Sequence, residues 1–189
     1  KEAVQAGIAY VSEDRKHTGL HLSLSVLQNL SMASLRRHGG YPLRPESEAI
    51  AAKKGIEELD IRLAHAGIAV GSLSGGNQQK VSIGKWLATE PQILILDEPT
   101  RGVDIGAKRE IYQLIHNLAA SGKACLLISS ELNEILGLCH RVIVLREGRV
   151  ALGGEHDAAE CFIEPTVLED LPPDALALRE EIFGPLLPL

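Results

Sequence analysis

Apolar residues recur along this chain with two different periods, and the switches between them mark its elements. Residues 7–11 form a short apolar run that predicts a strand, and the charged stretch 12–19 predicts a loop. From 22 to 35 the spacing is helical, with Val26, Leu27, Leu30 and Leu35 as inner positions. Gly39-Gly40-Tyr41-Pro42 breaks the chain, and 46–60 is helical again. Ser74 is placed to cap a helix running to about Thr89. Past Pro91, the unbroken run Ile93-Leu94-Ile95-Leu96 predicts a strand buried on both faces of a parallel sheet. Ile111, Leu114, Ile115 and Leu118 mark one face of a further helix, closed by Ser121-Gly122. Residues 125–129 predict a second buried strand and 131–138 a short helix. Residues 142–145 predict a third strand, which Glu147-Gly148 turns back into Val150-Ala151-Leu152. The alternation predicts an α/β fold with a mainly parallel sheet, and the mostly helical stretch of about 20–90 forms a subdomain within it.

Composition narrows the chemistry. The chain has 189 residues, a formal charge of −6, 45% hydrophobic and only 3% aromatic residues, so its core is built from Leu, Ile, Val and Ala. No basic footprint points to a nucleic-acid partner, and no apolar run reaches transmembrane length. Any work at a membrane is therefore expected through a partner. Cys125, Cys139 and Cys161 are far apart and form no metal-binding pair; a reducing compartment is expected, with Cys125 as a buried free thiol. Beyond Leu152 the strand–helix alternation stops and prolines crowd the sequence, which places a boundary near Gly153.

Two segments carry candidate chemistry. Ser74-Gly75-Gly76-Asn77 opens a helix, where free N–H groups and the helix dipole favour an anion, and glycines permit close approach to a phosphate. By itself this is also an ordinary serine-capped glycine turn. Ile93-Leu94-Ile95-Leu96 ends in Asp97-Glu98-Pro99-Thr100. Two carboxylates leaving a buried strand can hold a Mg²⁺ and orient a water, although solvated acidic residues at a strand end would look the same.

Taken together, the two are far more specific. The text Leu73-Ser-Gly-Gly-Asn-Gln-Gln-Lys80, a helix of about four turns, then Asp97-Glu-Pro-Thr-Arg-Gly-Val-Asp104, preceded by Gly7-Ile-Ala-Tyr-Val-Ser-Glu-Asp-Arg-Lys16, resembles ABC ATPases. It looks like the second cassette of the tandem ATPases of bacterial ribose, galactose and xylose import, over about residues 1–150. The resemblance implies a partial P-loop NTPase-like core with ATP and Mg²⁺ as cofactors. It implies a second cassette as partner, in cis or in trans, and a membrane permease, with the protein on the cytoplasmic face of the membrane. Ser74, Gly75 and Gly76, with Asn77 and Gln78 beside them, would meet the γ-phosphate of ATP held by the partner cassette. Asp97 would serve Mg²⁺, Glu98 would be the base or water-positioning residue, and Asp104 would link the two sites. The segment from Tyr10 to Arg15 would couple nucleotide state to the permease.

The sequence departs from the family pattern at four places. It contains no GxxxxGK[ST] loop, so the backbone cradle for phosphate is missing; that loop is expected to belong before Lys1. Glu13 stands where most members have Gln, and Ser130 where most have His, which weakens this cassette's own nucleotide site. Asn77 replaces the usual signature Gln, as in the sugar-import branch. The expectation is a chain that lends a competent signature to another cassette while its own site is incomplete. The alternative is a module that pairs without turning over nucleotide.

The region from about 151 to 189 resembles aldehyde dehydrogenases through Gly153-Gly154, Phe162-Ile-Glu-Pro-Thr-Val-Leu168 and Glu180-Glu-Ile-Phe-Gly-Pro185. The resemblance maps nicotinamide-ribose binding to Glu181 and nicotinamide packing to Phe183. The activity is not carried over: the nucleotide-binding Gly-rich turn is absent, and Cys161 is not that family's nucleophile. A proline-rich appendage without function, poorly ordered for want of its own sheet partners, is the expectation.

Overall fold

The computed structural model describes residues 2–35, 45–143, 145–146, 149–150, 166–168 and 186–188. The Gly39–Pro42 break, Ala151, Leu152, Cys161, Glu181, Phe183 and most of the proline-rich region lie outside them. The polypeptide divides into two compact units, Lys1–Glu134 and Ile135–Leu189.

In the first unit, helix α1 (Glu2–Gln5) leads into strand β1 (Ile8–Val11). Gly7 makes the turn between them at φ +76°, and its carbonyl accepts the amides of Gln92 and Ile93. Strand β2 (Ile93–Asp97) lies at the centre of a parallel three-stranded sheet, between β1 and strand β3 (Ala124–Ile128). Ile8 pairs with Ile93, and Ile93 with Ala124. The parallel α/β reading holds. Burial on both faces does not. Ala9, Val11, Leu94 and Leu96 are fully covered, together with Ile83, Ile111 and Ile115 of the helices that pack on this unit. The opposite face carries Tyr10 (45% exposed), Ile93, Leu126 (51%) and Ile128. The side-chain period of two sends alternate residues to a face that, in the described structure, lacks comparable cover.

The helical part begins later than its periodicity predicts. Helix α2 (Val26–Met32) starts after Ser25, whose hydroxyl accepts the Gln28 amide while the Gln28 side chain accepts the Ser25 amide. Asn29 fixes the preceding turn: its Oδ1 accepts the His21 amide and its Nδ2 donates to the carbonyls of His21 and Ser25. These bonds offer residues 22–25 a better-satisfied alternative to another helical turn. Helix α3 (Pro45–Glu58) and helix α4 (Gly75–Leu87) follow. Their apolar core joins Leu20, Val26, Leu30, Ala52, Leu59, Ile61, Val70 and Val81. Each Leu, Ile or Val among them contributes about 1.5–3 kcal/mol when fully withdrawn from water. The buried Lys80 ammonium is satisfied by the Asp60 carbonyl and by Glu110, each at 2.8 Å.

Helix α5 (Ile105–Ala120) shows the expected apolar face, with Ile111 and Ile115 buried. Helix α6 (Leu132–Leu138) follows β3. The strand expected at 142–145 falls partly outside the described residues. Strand β4 (Leu145–Arg146) pairs antiparallel with β5 (Arg149–Val150). Strands β6 (Thr166–Leu168) and β7 (Leu186–Pro188) form a parallel pair. Cys125 is a free thiol, half-buried rather than fully buried, and that burial pushes its pKa up.

Candidate functional site

Three loops meet in the first unit: the one after β1, the one after β2, and the turn that opens α4. Ser74 is the N-cap of α4, as its sequence position predicts. Its hydroxyl accepts from the Asn77 amide at 3.5 Å and from Asn77 Nδ2 at 3.0 Å. Asn77 Oδ1 in turn accepts the Arg62 amide at 2.8 Å. Gln78 is turned inward, and its Nε2 donates to the Leu73 carbonyl at 2.9 Å. Its side chain therefore holds the turn rather than presenting itself at the surface.

The two glycines answer to packing as well as to any ligand. A Cβ built on Gly76 would lie 2.4 Å from the Ala107 Cβ, so α4 and α5 can approach this closely only with glycine there. A Cβ on Gly75 would lie 3.2 Å from Arg15 Nη2 and 3.3 Å from the Gly102 carbonyl oxygen.

Asp97 and Glu98 stand at the carboxyl end of β2. The Tyr10 hydroxyl donates to Asp97 Oδ2 at 2.6 Å. That bond, reinforced by partial burial and the neighbouring negative charge, raises the Tyr10 pKa above its ordinary value. Glu98 has a left-handed backbone, φ +44°, a conformation that costs a non-glycine residue about 1–3 kcal/mol. Two bonds over-determine it: its amide donates to the Ile128 carbonyl at 2.9 Å, and its Oε1 accepts the Ser130 amide at 2.7 Å. Ser130 thus reaches Glu98 through its main chain. Buried Thr100 donates its hydroxyl to Glu134 of α6 at 2.7 Å, tying the loop after β2 to that helix. Lys108 donates to both oxygens of Glu131 at 2.5 and 2.6 Å, and this raises its pKa. Asp104 caps α5, its Oδ1 accepting the Ala107 amide at 2.9 Å.

Glu13 forms an ion pair with Arg101. Arg15 donates from Nη1 to the Arg101 carbonyl at 2.8 Å and from Nη2 to the Gly102 carbonyl at 3.0 Å. Asp14 accepts the amides of Lys16 and His17, and the bond from His17 holds its carboxyl below the usual carboxylate range. An open cavity of about 450 Å³ is lined by Glu13, Asp14, Arg15, Lys16 and Arg101. The charged stretch 12–19 predicts a plain loop, but Arg15–Gly19 is a wide turn, closed by the Gly19 amide on the Asp14 carbonyl. The partners of Tyr10, Thr100, Arg101 and Glu134 arise only through tertiary contact, which local sequence does not signal.

The ABC transporter family model matches residues 1–101, and the aldehyde dehydrogenase family model matches 128–189. The chain is 51% identical over 161 residues to a ribose import ATP-binding protein of Burkholderia pseudomallei, covering 84% of this chain and 31% of that protein. It is 49% identical over 169 residues to a ribose import ATP-binding protein of Agrobacterium fabrum, covering 88% of this chain and 32% of that protein. The chain thus spans about a third of the length of these relatives. Among solved structures, a dimeric ATP-binding cassette in a post-hydrolysis state with ADP and Pi superposes with a TM-score of 0.63 at 27% identity, covering 76% of this chain and 60% of that one. A nucleotide-free ATP-binding cassette of an ABC transporter superposes with a TM-score of 0.67 at 25% identity, covering 82% and 64%.

Proposed function

The chain belongs to the ABC transporter family, and from that premise we propose that it serves as part of the ATP-binding and hydrolysing subunit of a carbohydrate importer. The observation that carries this reading is the meeting of the signature turn at Gly75 with the loop that follows Asp97 and Glu98. Ribose import ATP-binding proteins are the relatives that support the sugar-import assignment.

In this reading the chain lends Ser74, Gly75 and Gly76 to a nucleotide held mainly by a second cassette. Asn77 orients the Ser74 hydroxyl. Asp97 and Glu98 suit a divalent cation as a pair of hard oxygen donors at a strand end, and Asp97 would hold Mg²⁺ while Glu98 positions the attacking water. The metal would neutralise phosphate charge when bound. The phosphate cradle itself is not supplied by these residues: the sequence has no GxxxxGK[ST] loop. Asp104 fixes the start of α5 and the loop that faces the second cassette. Glu13 joins the segment that would answer to a permease, on the cytoplasmic side of a membrane. Among the described residues, no helix is long and apolar enough to cross one. Domain limits of 1–152 for the partial cassette and 153–189 for the appended region belong to the same proposal.

The test is nucleotide-dependent pairing. The chain is mixed with a full-length ribose import ATP-binding protein, with and without Mg-ATP, and association is followed by light scattering. Association that requires Mg-ATP and is lost in Ser74→Ala supports the reading. Pairing indifferent to nucleotide, or ATP turnover by the chain alone at a transporter-like rate, overturns it.

A further inference from the structure

We infer that Arg15 is a positioning residue that locks the loop after β2 against the first signature glycine, so that the turn Arg15–Gly19, residues 101–102 and the start of α4 move as one body. Its functional consequence rests on the cassette reading above; the lock itself does not.

The guanidinium spans segments 86 and 87 residues away in sequence. Its two terminal nitrogens donate to consecutive carbonyls, those of Arg101 and Gly102, at 2.8 and 3.0 Å. The guanidinium reaches the two acceptors from two nitrogens held in a rigid plane, whereas an ammonium's three N–H groups share one nitrogen on a flexible stem and lack that fixed spacing. Gly102 is at φ +65°, a backbone that glycine adopts freely. The same Nη2 and the same Gly102 oxygen close on Gly75, within 3.2 and 3.3 Å of where a Cβ would stand. Three segments therefore share one contact point.

Arg15 is itself anchored. The turn that carries it begins at Asp14, which accepts two of its amides. It ends at Gly19, whose carbonyl accepts the buried Lys85 ammonium of α4 at 2.5 Å. Seven residues of helix separate Gly75 from Ser82, the neighbour of Gly19, a span of about 10 Å along the α4 axis. The turn is thus bonded to α4 at its Gly19 end and packed against Gly75 at its Arg15 end, and the Glu13–Arg101 ion pair adds a further tie to the loop after β2. Arg15 Nε is buried without an acceptor among the described residues, a penalty that a surface arginine serving only solubility would avoid. The outer side of the turn is open, since Glu13, Asp14, Lys16 and His17 are exposed. Displacement of that rim by a partner would be felt at Gly75 and Gly102 together.

Hydrogen exchange of the full chain tests the lock without any nucleotide. In Arg15→Ala, exchange at Val103, Asn77 and Gln78 is expected to rise together by about tenfold, while Ile61 in the helical core keeps its wild-type rate. Arg15→Lys, which keeps the charge, is expected to behave like Arg15→Ala. Ethylguanidinium, but not ethylammonium, is expected to restore protection in Arg15→Ala. If Val103 loosens while Asn77 and Gln78 keep their rates, or if Arg15→Lys matches wild type, the lock is wrong. Faster exchange everywhere, Ile61 included, in both variants also overturns it, because Arg15 would then be a general stability residue. In the pairing experiment, loss of Mg-ATP-dependent association in Arg15→Lys extends the lock to function. Wild-type pairing in a variant with loosened Asn77 and Gln78 refutes that extension alone, and failure of the wild type to pair counts against the cassette reading instead.

Discussion

Gly76→Ala separates two reasons for a glycine in the signature turn. A methyl group there would sit 2.4 Å from the Ala107 Cβ, whereas carbon atoms rest about 3.5–4.0 Å apart. Neither group is the tip of a flexible side chain, so α4 and α5 must separate by roughly 1 Å or tilt. Overpacking of this kind costs about 1–3 kcal/mol. Alanine's better helix propensity offsets at most about 1 kcal/mol, and less in the first turn where Gly76 lies. The expected net loss is about 1–2 kcal/mol. Ala107→Gly alone removes a methyl from α5 and is expected to cost about 1 kcal/mol. In the double variant the overlap vanishes, so the two changes together should cost less than their sum by about 1–3 kcal/mol. Urea unfolding of the full chain, followed by the fluorescence of Trp86, the single tryptophan, measures all four states. Additive costs, or a Gly76→Ala that is neutral or stabilising, would refute the packing argument and leave ligand approach as the reason for this glycine.

Tyr10→Phe removes the donor to Asp97. A raised folded-state pKa means that the Tyr10 contribution is fully present below its unfolded value and fades as pH rises through the folded one. The stability difference between wild type and Tyr10→Phe should therefore be flat from neutral pH up to about 9–10 and shrink beyond it; a difference that grows in alkali would contradict the bond. Glu110→Gln acts at the other end of the scale. Lys80 holds the Glu110 pKa down, so this pair stabilises above the unfolded carboxylate value of about 4.3 and is lost as pH falls through the lower folded one. Glu110→Gln should cost about 1 kcal/mol at neutral pH, because Lys80 stays buried with a weaker acceptor, and the gap to wild type should close in acid unfolding.

Much of the cassette was legible because its signals are local. Ser74 as a cap and the exit of β2 at Asp97 follow from period and punctuation alone. Errors arose where a local signal was ambiguous or a partner was distant. The run Ile93–Leu96 reads as covered on both sides, yet Leu94 and Leu96 are buried while Ile93 is exposed, since an unbroken apolar run does not say how many faces are packed. The helix expected from residue 22 begins at Val26 because Gln28 and Asn29 bind the preceding main chain, a choice that apolar periodicity cannot register. Gly76 was read as room for a phosphate, and its 2.4 Å conflict with Ala107 exists only once α5 is in place. Arg15 lay within the expected coupling segment, but nothing in its neighbours names carbonyls 86 and 87 residues away.

The departure at Ser130 also changes meaning once its geometry is known. A hydroxyl cannot do the proton chemistry of the imidazole that the family resemblance implies for this position. Yet Ser130 reaches Glu98 by its backbone amide, and any residue but proline supplies that donor. The left-handed turn at Glu98 is held by this bond and by the Ile128 carbonyl, both from the loop and strand end after β3. Thr100 to Glu134 fastens the loop after β2 to helix α6, which follows the loop after β3. Placement of the carboxylate and chemistry at position 130 are therefore separable: the first survives the substitution and the second does not. A chain built this way keeps Glu98 in register beside Asp97 whichever side chain, proline apart, stands at position 130.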